Sequence, residues 1–143
     1  LYLSLFVHRH RPRYYELLNQ VRLTGDWEAW LAFFAEAVTI TAGQAVETAH
    51  RLQQQAQADQ EQIAGQGRMA ITMRQAQEAL QERPIATASW ITGRTALTPA
   101  TVNACLRTLR HLGIVTELTG KKRNRLYCYA AYMQIMNEGI ADS

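Results

Sequence analysis

TPATVNACLRTLRHLGIVTELTGKKRNRLYCY, residues 98–129, carries the punctuation of a helix, a strand, a basic turn and a second strand in that order. The Thr98 hydroxyl suits an N-cap, Pro99 suits the first helical position, where a missing N–H leaves nothing unpaired, and Gly113 suits the left-handed residue that ends the helix. Between these signals Val102, Cys105, Leu106, Leu109 and Leu112 recur at three- and four-residue spacing as one apolar stripe. That spacing turns Thr101, Asn103, Ala104, Arg107, Thr108, Arg110 and His111 outward. Ile114 to Leu118 and Leu126 to Tyr129 then read as paired strands, rich in β-branched and aromatic residues. A recognition-type helix followed by such a hairpin is the order of a winged helix-turn-helix.

The turn of that hairpin, Thr119-Gly120-Lys121-Lys122-Arg123-Asn124-Arg125, holds four cations within five residues and the only two lysines in the chain. Beside a helix with Thr98, Thr101, Asn103, Arg107 and Arg110 available, Lys121, Lys122, Arg123 and Arg125 make the arrangement a phosphate backbone favours. These nine residues are the candidate nucleic-acid contacts. Charged hairpin tips also keep strand edges from pairing with other chains, so a solvated wing or a protein-docking surface stands beside the nucleic-acid reading.

The charge is unevenly divided. Residues 1–83 hold eight Arg against nine acids, net −1, whereas residues 84–143 hold seven Lys plus Arg against three acids, net +4. The basic character belongs to the C-terminal module, and an acidic partner is expected for that part alone. Cys105 and Cys128 fall on apolar positions of the helix and the last strand and are expected as small buried hydrophobes rather than a disulfide. The longest apolar run, Leu1 to Val7, is too short to cross a bilayer and is interrupted by Ser4. A soluble, cytoplasmic protein without a membrane role is expected. The chain begins at Leu1, inside an apolar helical pattern, which suggests a piece of something longer.

Upstream, Leu1 to His8 reads as a helix end, and Arg11-Pro12-Arg13 opens a second helix with apolar positions Tyr14, Leu17, Leu18 and Val21, stopped near Gly25. Asp26 caps a long third helix, in which Trp27, Trp30, Leu31, Phe34, Val38, Ala45, Val46, Ala49 and Leu52 form the stripe expected to anchor a helical core. Past Leu52 the run QQQAQADQEQ has helical propensity without an apolar face, so this stretch is expected to protrude or to pack only at Ile63. Gly65 and Gly67 mark a joint. Met69, Met73, Ala76 and Leu80 begin another helix that ends at Arg83-Pro84, and Ile85 to Thr95 is expected as a shorter one around Trp90 and Ile91. Tyr132 to Glu138 reads as a closing helix with Tyr132, Ile135 and Met136 inward. Two domains follow, 1–66 and 67–143.

Catalytic chemistry finds no foothold. His8, His10, His50 and His111 are scattered, neither cysteine lies in a C-x-x-C pair, and no Gly-x-Ser-x-Gly elbow occurs. Glu16, Asp26 and Glu28 sit where helix starts and solvent faces place acids anyway. Gly65-Gln66-Gly67-Arg68 resembles a phosphate loop, but it lacks a preceding strand and a Lys-Ser/Thr pair, and a flexible joint explains both glycines. No metal ligand and no catalytic residue is assigned.

Taken in order, Leu1-Tyr2-Leu3-Ser4, Arg13-Tyr14-Tyr15 with Leu18, Gly25-Asp26-Trp27 with Trp30-Leu31 and Phe33-Phe34, and the Gly120-Lys121-Lys122-Arg123-Asn124-Arg125 wing resemble the C-terminal part of Fic (Fido) family proteins along nearly the whole chain. The resemblance implies a mainly α fold: the last helices of a Fic-type helical domain, then a winged helix-turn-helix with a small β-hairpin. It also implies a parent adenylyltransferase that uses ATP and Mg²⁺ to transfer AMP to a hydroxyl of a target protein (AMPylation). The family's His-Pro-Phe-x-x-Gly-Asn-Gly-Arg motif has no match here, since the chain contains no His-Pro pair. These residues are therefore expected to be inactive by themselves and to need no cofactor of their own. The partners expected are DNA at the winged helix, a second copy as a homodimer, and the parent's protein target.

Overall fold

The computed structural model describes residues 2–141; the expectations resting on Leu1 lie outside the described residues. They form seven α-helices, one 3₁₀ turn and a small three-stranded antiparallel sheet, and the protein is mainly α. The chain divides into two compact units, residues 1–51 with 136–143, and residues 52–135. The helices are α1 (Tyr2–Arg9), α2 (Arg11–Thr24), α3 (Trp27–Ala64), α4 (Ala70–Glu82), α5 (Ala88–Arg94), α6 (Pro99–His111) and α7 (Ala130–Ala141). The strands are β1 (Ile85–Thr87), β2 (Val115–Glu117) and β3 (Leu126–Tyr129).

In the first unit the helix boundaries follow the sequence signals. Pro12 lies in the first turn of α2, and Gly25 ends that helix at φ 73°, donating its N–H to Val21 O. The Ala29 N–H bonds the Asp26 carboxylate at 3.3 Å, capping α3. Phe6, Leu17, Phe33 and Ala37 form the core, with Leu3, Tyr14, Ala29 and Trp30 packed against it. Arg51 and Glu138 form an ion pair at 2.5 Å in this unit.

Most of the expected stripe of α3 is not the buried one, although Trp30 packs against the core and Ala45 and Leu52 are half-buried. Phe33, Ala37, Thr41 and Thr48 are buried, while Trp27, Leu31, Phe34, Val38 and Val46 are exposed, Leu31 at 55% and Val46 at 56%. This part of the helix is apolar on two faces, and periodicity ranked the bulkier one first. The face that packs combines Phe33 with small residues, and the Thr41 hydroxyl is satisfied within its own helix by donating to Ala37 O at 2.8 Å. An 18-residue window of α3 has mean hydropathy 1.3 and is 17% buried, so by length and composition alone this helix could cross a membrane.

The second unit has the larger core, in which Met73, Ala76, Leu80, Ile91, Val102, Cys105, Leu106 and Leu109 are fully buried. Each Leu, Ile, Val or Met there contributes about 1.5–3 kcal/mol through burial. Both cysteines are free and buried. Ile63 is buried as expected, but it is not alone on its stretch of α3: Asp59 is only 4% exposed. The Tyr129 hydroxyl donates to Asp59 Oδ2 at 2.5 Å, and Gln55 Nε2 donates to Asp59 Oδ1 at 3.0 Å. Gln77 Nε2, in α4, donates to Tyr129 Oη at 3.0 Å and to Ala56 O at 3.1 Å. The buried carboxylate thus accepts from Tyr129 of β3 and Gln55 of its own helix, and Gln77 of α4 joins the network through the Tyr129 hydroxyl.

The sheet has the order β1-β3-β2. Ile85–Thr87, expected as the start of a helix, is a strand, pairing Ile85 with Cys128 and Thr87 with Leu126. Three residues are too few for a period to show, and the pairing is completed by a bond from the Tyr129 N–H to Pro84 O at 2.8 Å. The closing helix begins at Ala130, two residues before its expected start, and Met136, expected inward, is 38% exposed.

Candidate nucleic-acid interface

The N-terminus of α6 is built as its sequence demands. Thr98 Oγ1 accepts the Thr101 N–H at 3.2 Å and lies 2.9 Å from Thr101 Oγ1, so the two hydroxyls pair with one another. Asn103 Nδ2 donates to Pro99 O at 2.8 Å, holding the amide against the first turn. Val102, Cys105, Leu106 and Leu109 face the core, which leaves Ala100, Asn103 and Arg107 on one outward strip at spacings of three and four.

The hairpin is more ordered than a mere charged loop. Glu117 pairs with Tyr127 across the strands, and the Leu118 N–H bonds Leu126 O at 2.9 Å. Beyond that rung the chain reverses through Gly120 at φ 60° and Asn124 at φ 52°, left-handed conformations that suit glycine and asparagine. The Thr119 hydroxyl donates to Glu117 at 3.0 Å and accepts the Leu126 N–H at 3.3 Å, and Arg125 Nε donates to Lys121 O at 2.6 Å. Burial pushes the Glu117 carboxyl upward, but the Thr119 hydroxyl, the Gly120 and Thr119 N–H groups and the Arg125 charge outweigh it and hold the group below the usual carboxylate range. Glu117 also takes Arg110 at 3.9 Å.

Between α6, the start of α5 and this hairpin lies a groove of about 710 Å³. It brings together Asn103, Arg107, Lys122, Arg123 and Arg125 of the expected contacts, and among the described residues no acidic one lines it. Thr98, Thr101, Arg110 and Lys121 are not among its lining residues. The first two are engaged in the helix cap, and Arg110 pairs with Glu117. Residues the sequence reading passed over complete the wall: Thr87, Ala88 and Ser89 at the start of α5, Ala100, Asn124 and Tyr127. Thr87 had a legible signal, since it caps α5 by accepting the Trp90 N–H at 3.2 Å. Arg107, Lys122 and Arg123 are exposed, and none has a side-chain hydrogen bond or ion pair among the described residues. A concave strip lined by hydroxyls and cations and by no carboxylate among the described residues is chemically suited to a polyanion.

Among the described residues no cluster of His, Cys, Asp and Glu is arranged to hold a metal ion. No protein-family model matches the chain, and no curated protein matches it.

Proposed function

We propose that this chain is the C-terminal region of a Fic-like AMP-transferase whose residues 67–143 form a winged helix-turn-helix that binds duplex DNA. The order α4, β1, α5, α6, β2, β3 and the sheet order β1-β3-β2 support the winged-helix reading. The observation that carries the DNA reading is the groove itself, where α6 and the wing converge with Arg107, Lys122, Arg123 and Arg125 and without an acid. Seated on a duplex, α6 enters the major groove and the wing holds phosphates. The free, buried cysteines suit a reducing cytoplasm.

The parent's AMP transfer rests on the resemblance alone. The residues present do not fit its ATP and Mg²⁺: Gly65 to Arg68 lead into a 3₁₀ turn, Gly67–Met69, with no preceding strand. No step of that reaction is assigned to this chain.

Titrating a fluorescent duplex at several salt concentrations tests the reading. The expected result is a slope of roughly −3 to −4 in log K against log salt, the value for about four phosphates, flattened in a Lys121/Lys122/Arg123 triple alanine variant. Salt-independent binding, or equal binding by the variant, removes it. The alternative, a dimerisation or protein-docking module, is favoured by the short side chains of Ala100 and Ala104 on α6, and would show as self-association without duplex binding.

A further inference from the structure

Resting on the duplex-binding reading, we propose that Arg107 is the residue of α6 that reads sequence, and that it selects guanine in the major groove. Within the groove α6 contributes Ala100, Asn103 and Arg107. Ala100 has a methyl group and nothing to hydrogen-bond a base edge. Asn103 has its amide drawn onto Pro99 O at 2.8 Å, which turns it along its own helix instead of outward. The neighbouring hydroxyls are likewise spent within α6, Thr101 on Thr98 and Thr108 on Ala104 O. Arg110 is paired with Glu117 and lies outside the groove lining. Arg107 alone on this strip is long, exposed and without a side-chain partner.

A guanidinium presents two parallel N–H donors, and guanine is the base whose major-groove edge offers two acceptors, N7 and O6, at matching spacing. The cations of the hairpin line the same groove from a different element and have backbone phosphates to satisfy. Base reading and phosphate holding therefore fall on different elements, one arginine on α6 and the cations of the hairpin.

The division is testable with the 143-residue chain. Short random duplexes are enriched on the wild type, Arg107→Ala and the Lys121/Lys122/Arg123 triple alanine variant, and the selected duplexes are then remade with base analogues. The wild type should enrich one guanine per bound site. Replacing it by 7-deazaguanine, which removes N7, should weaken binding about tenfold, whereas inosine, which keeps N7 and O6, should leave it unchanged. Arg107→Ala should lose the preference while keeping the salt slope, and the triple variant should keep the preference with a flatter slope. A guanine preference that survives Arg107→Ala, or 7-deazaguanine without effect, overturns the assignment. So does an Arg107→Ala variant weakened equally on every sequence with a shallower slope, which would make Arg107 a phosphate contact. In each of these cases duplex binding itself stands. A wild type that binds no duplex removes the functional reading and this inference together. Arg107 is exposed on a helix, so its alanine variant keeps the fold, with circular dichroism as the check.

Discussion

The Tyr129 hydroxyl donates a 2.5 Å hydrogen bond to Asp59 although the two residues are 70 positions apart in the chain. It ties the last strand to the polar stretch of α3. Tyr129→Phe keeps the ring and its stacking on Tyr132, 5.1 Å between centroids, but leaves a buried carboxylate oxygen short of its donor. A loss of about 1.5–3 kcal/mol is expected in urea unfolding. A change within about 0.5 kcal/mol, the range of an ordinary surface substitution, would show that the bond does not hold this unit together.

The same tyrosine predicts an alkaline limb of stability. Burial, and then the Asp59 carboxylate, push its phenol well above the ordinary value of 10.0. A group whose folded pKa is raised contributes fully below its unfolded pKa, and the contribution is lost as pH rises above it. Unfolding free energy should therefore fall above about pH 10, and fall less steeply in Tyr129→Phe. In absorbance titrations at 295 nm, one of the six tyrosines should resist ionisation until the chain unfolds. Six tyrosines titrating together in the folded protein would contradict this.

Thr98 satisfies the start of α6 with one hydroxyl. Thr98→Ala removes the acceptor for the Thr101 N–H and should cost about 1 kcal/mol, largely restored by Thr98→Ser. Thermal melts of the three proteins decide it, and an unchanged midpoint in the alanine variant would mean that water replaces the cap without cost.

Two leucines separate burial from hydrophobicity. Leu106 is fully buried and Leu31 is 55% exposed. Leu106→Ala should cost about 2–5 kcal/mol, whereas Leu31→Ala should stay within about 0.5 kcal/mol and lower the binding of a hydrophobic dye. Equal losses at the two sites would mean that the exposed face of α3 is covered in solution.

The contrast between those leucines also marks what the sequence could reveal. Helix ends were legible because they depend on single residues with one conformational talent: Pro12, Gly25, Thr98, Pro99 and Gly113. The buried face of α6 was legible because one side is apolar and the other is not. In α3 both sides are apolar, and the choice between them was made by close packing, which favours Ala37 over Leu31 and leaves no trace in periodicity. Strand β1 was hidden because three residues cannot show alternation, and the Asp59, Gln77 and Tyr129 network because its members are distant in the chain and polar. Of the groove, the cations were visible and the hydroxyls of Thr87 and Ser89 were not. The cations cluster in five consecutive residues, whereas Thr87 and Ser89 come alongside only through folding.

Lys121 and Lys122 are the only lysines in the chain, and both sit in the hairpin turn. Amine acylation, which neutralises lysine and spares arginine, therefore reaches this turn and no other side chain of these 143 residues. The hairpin carries charge of two kinds: an erasable pair on Lys121 and Lys122, and a permanent pair on Arg123 and Arg125.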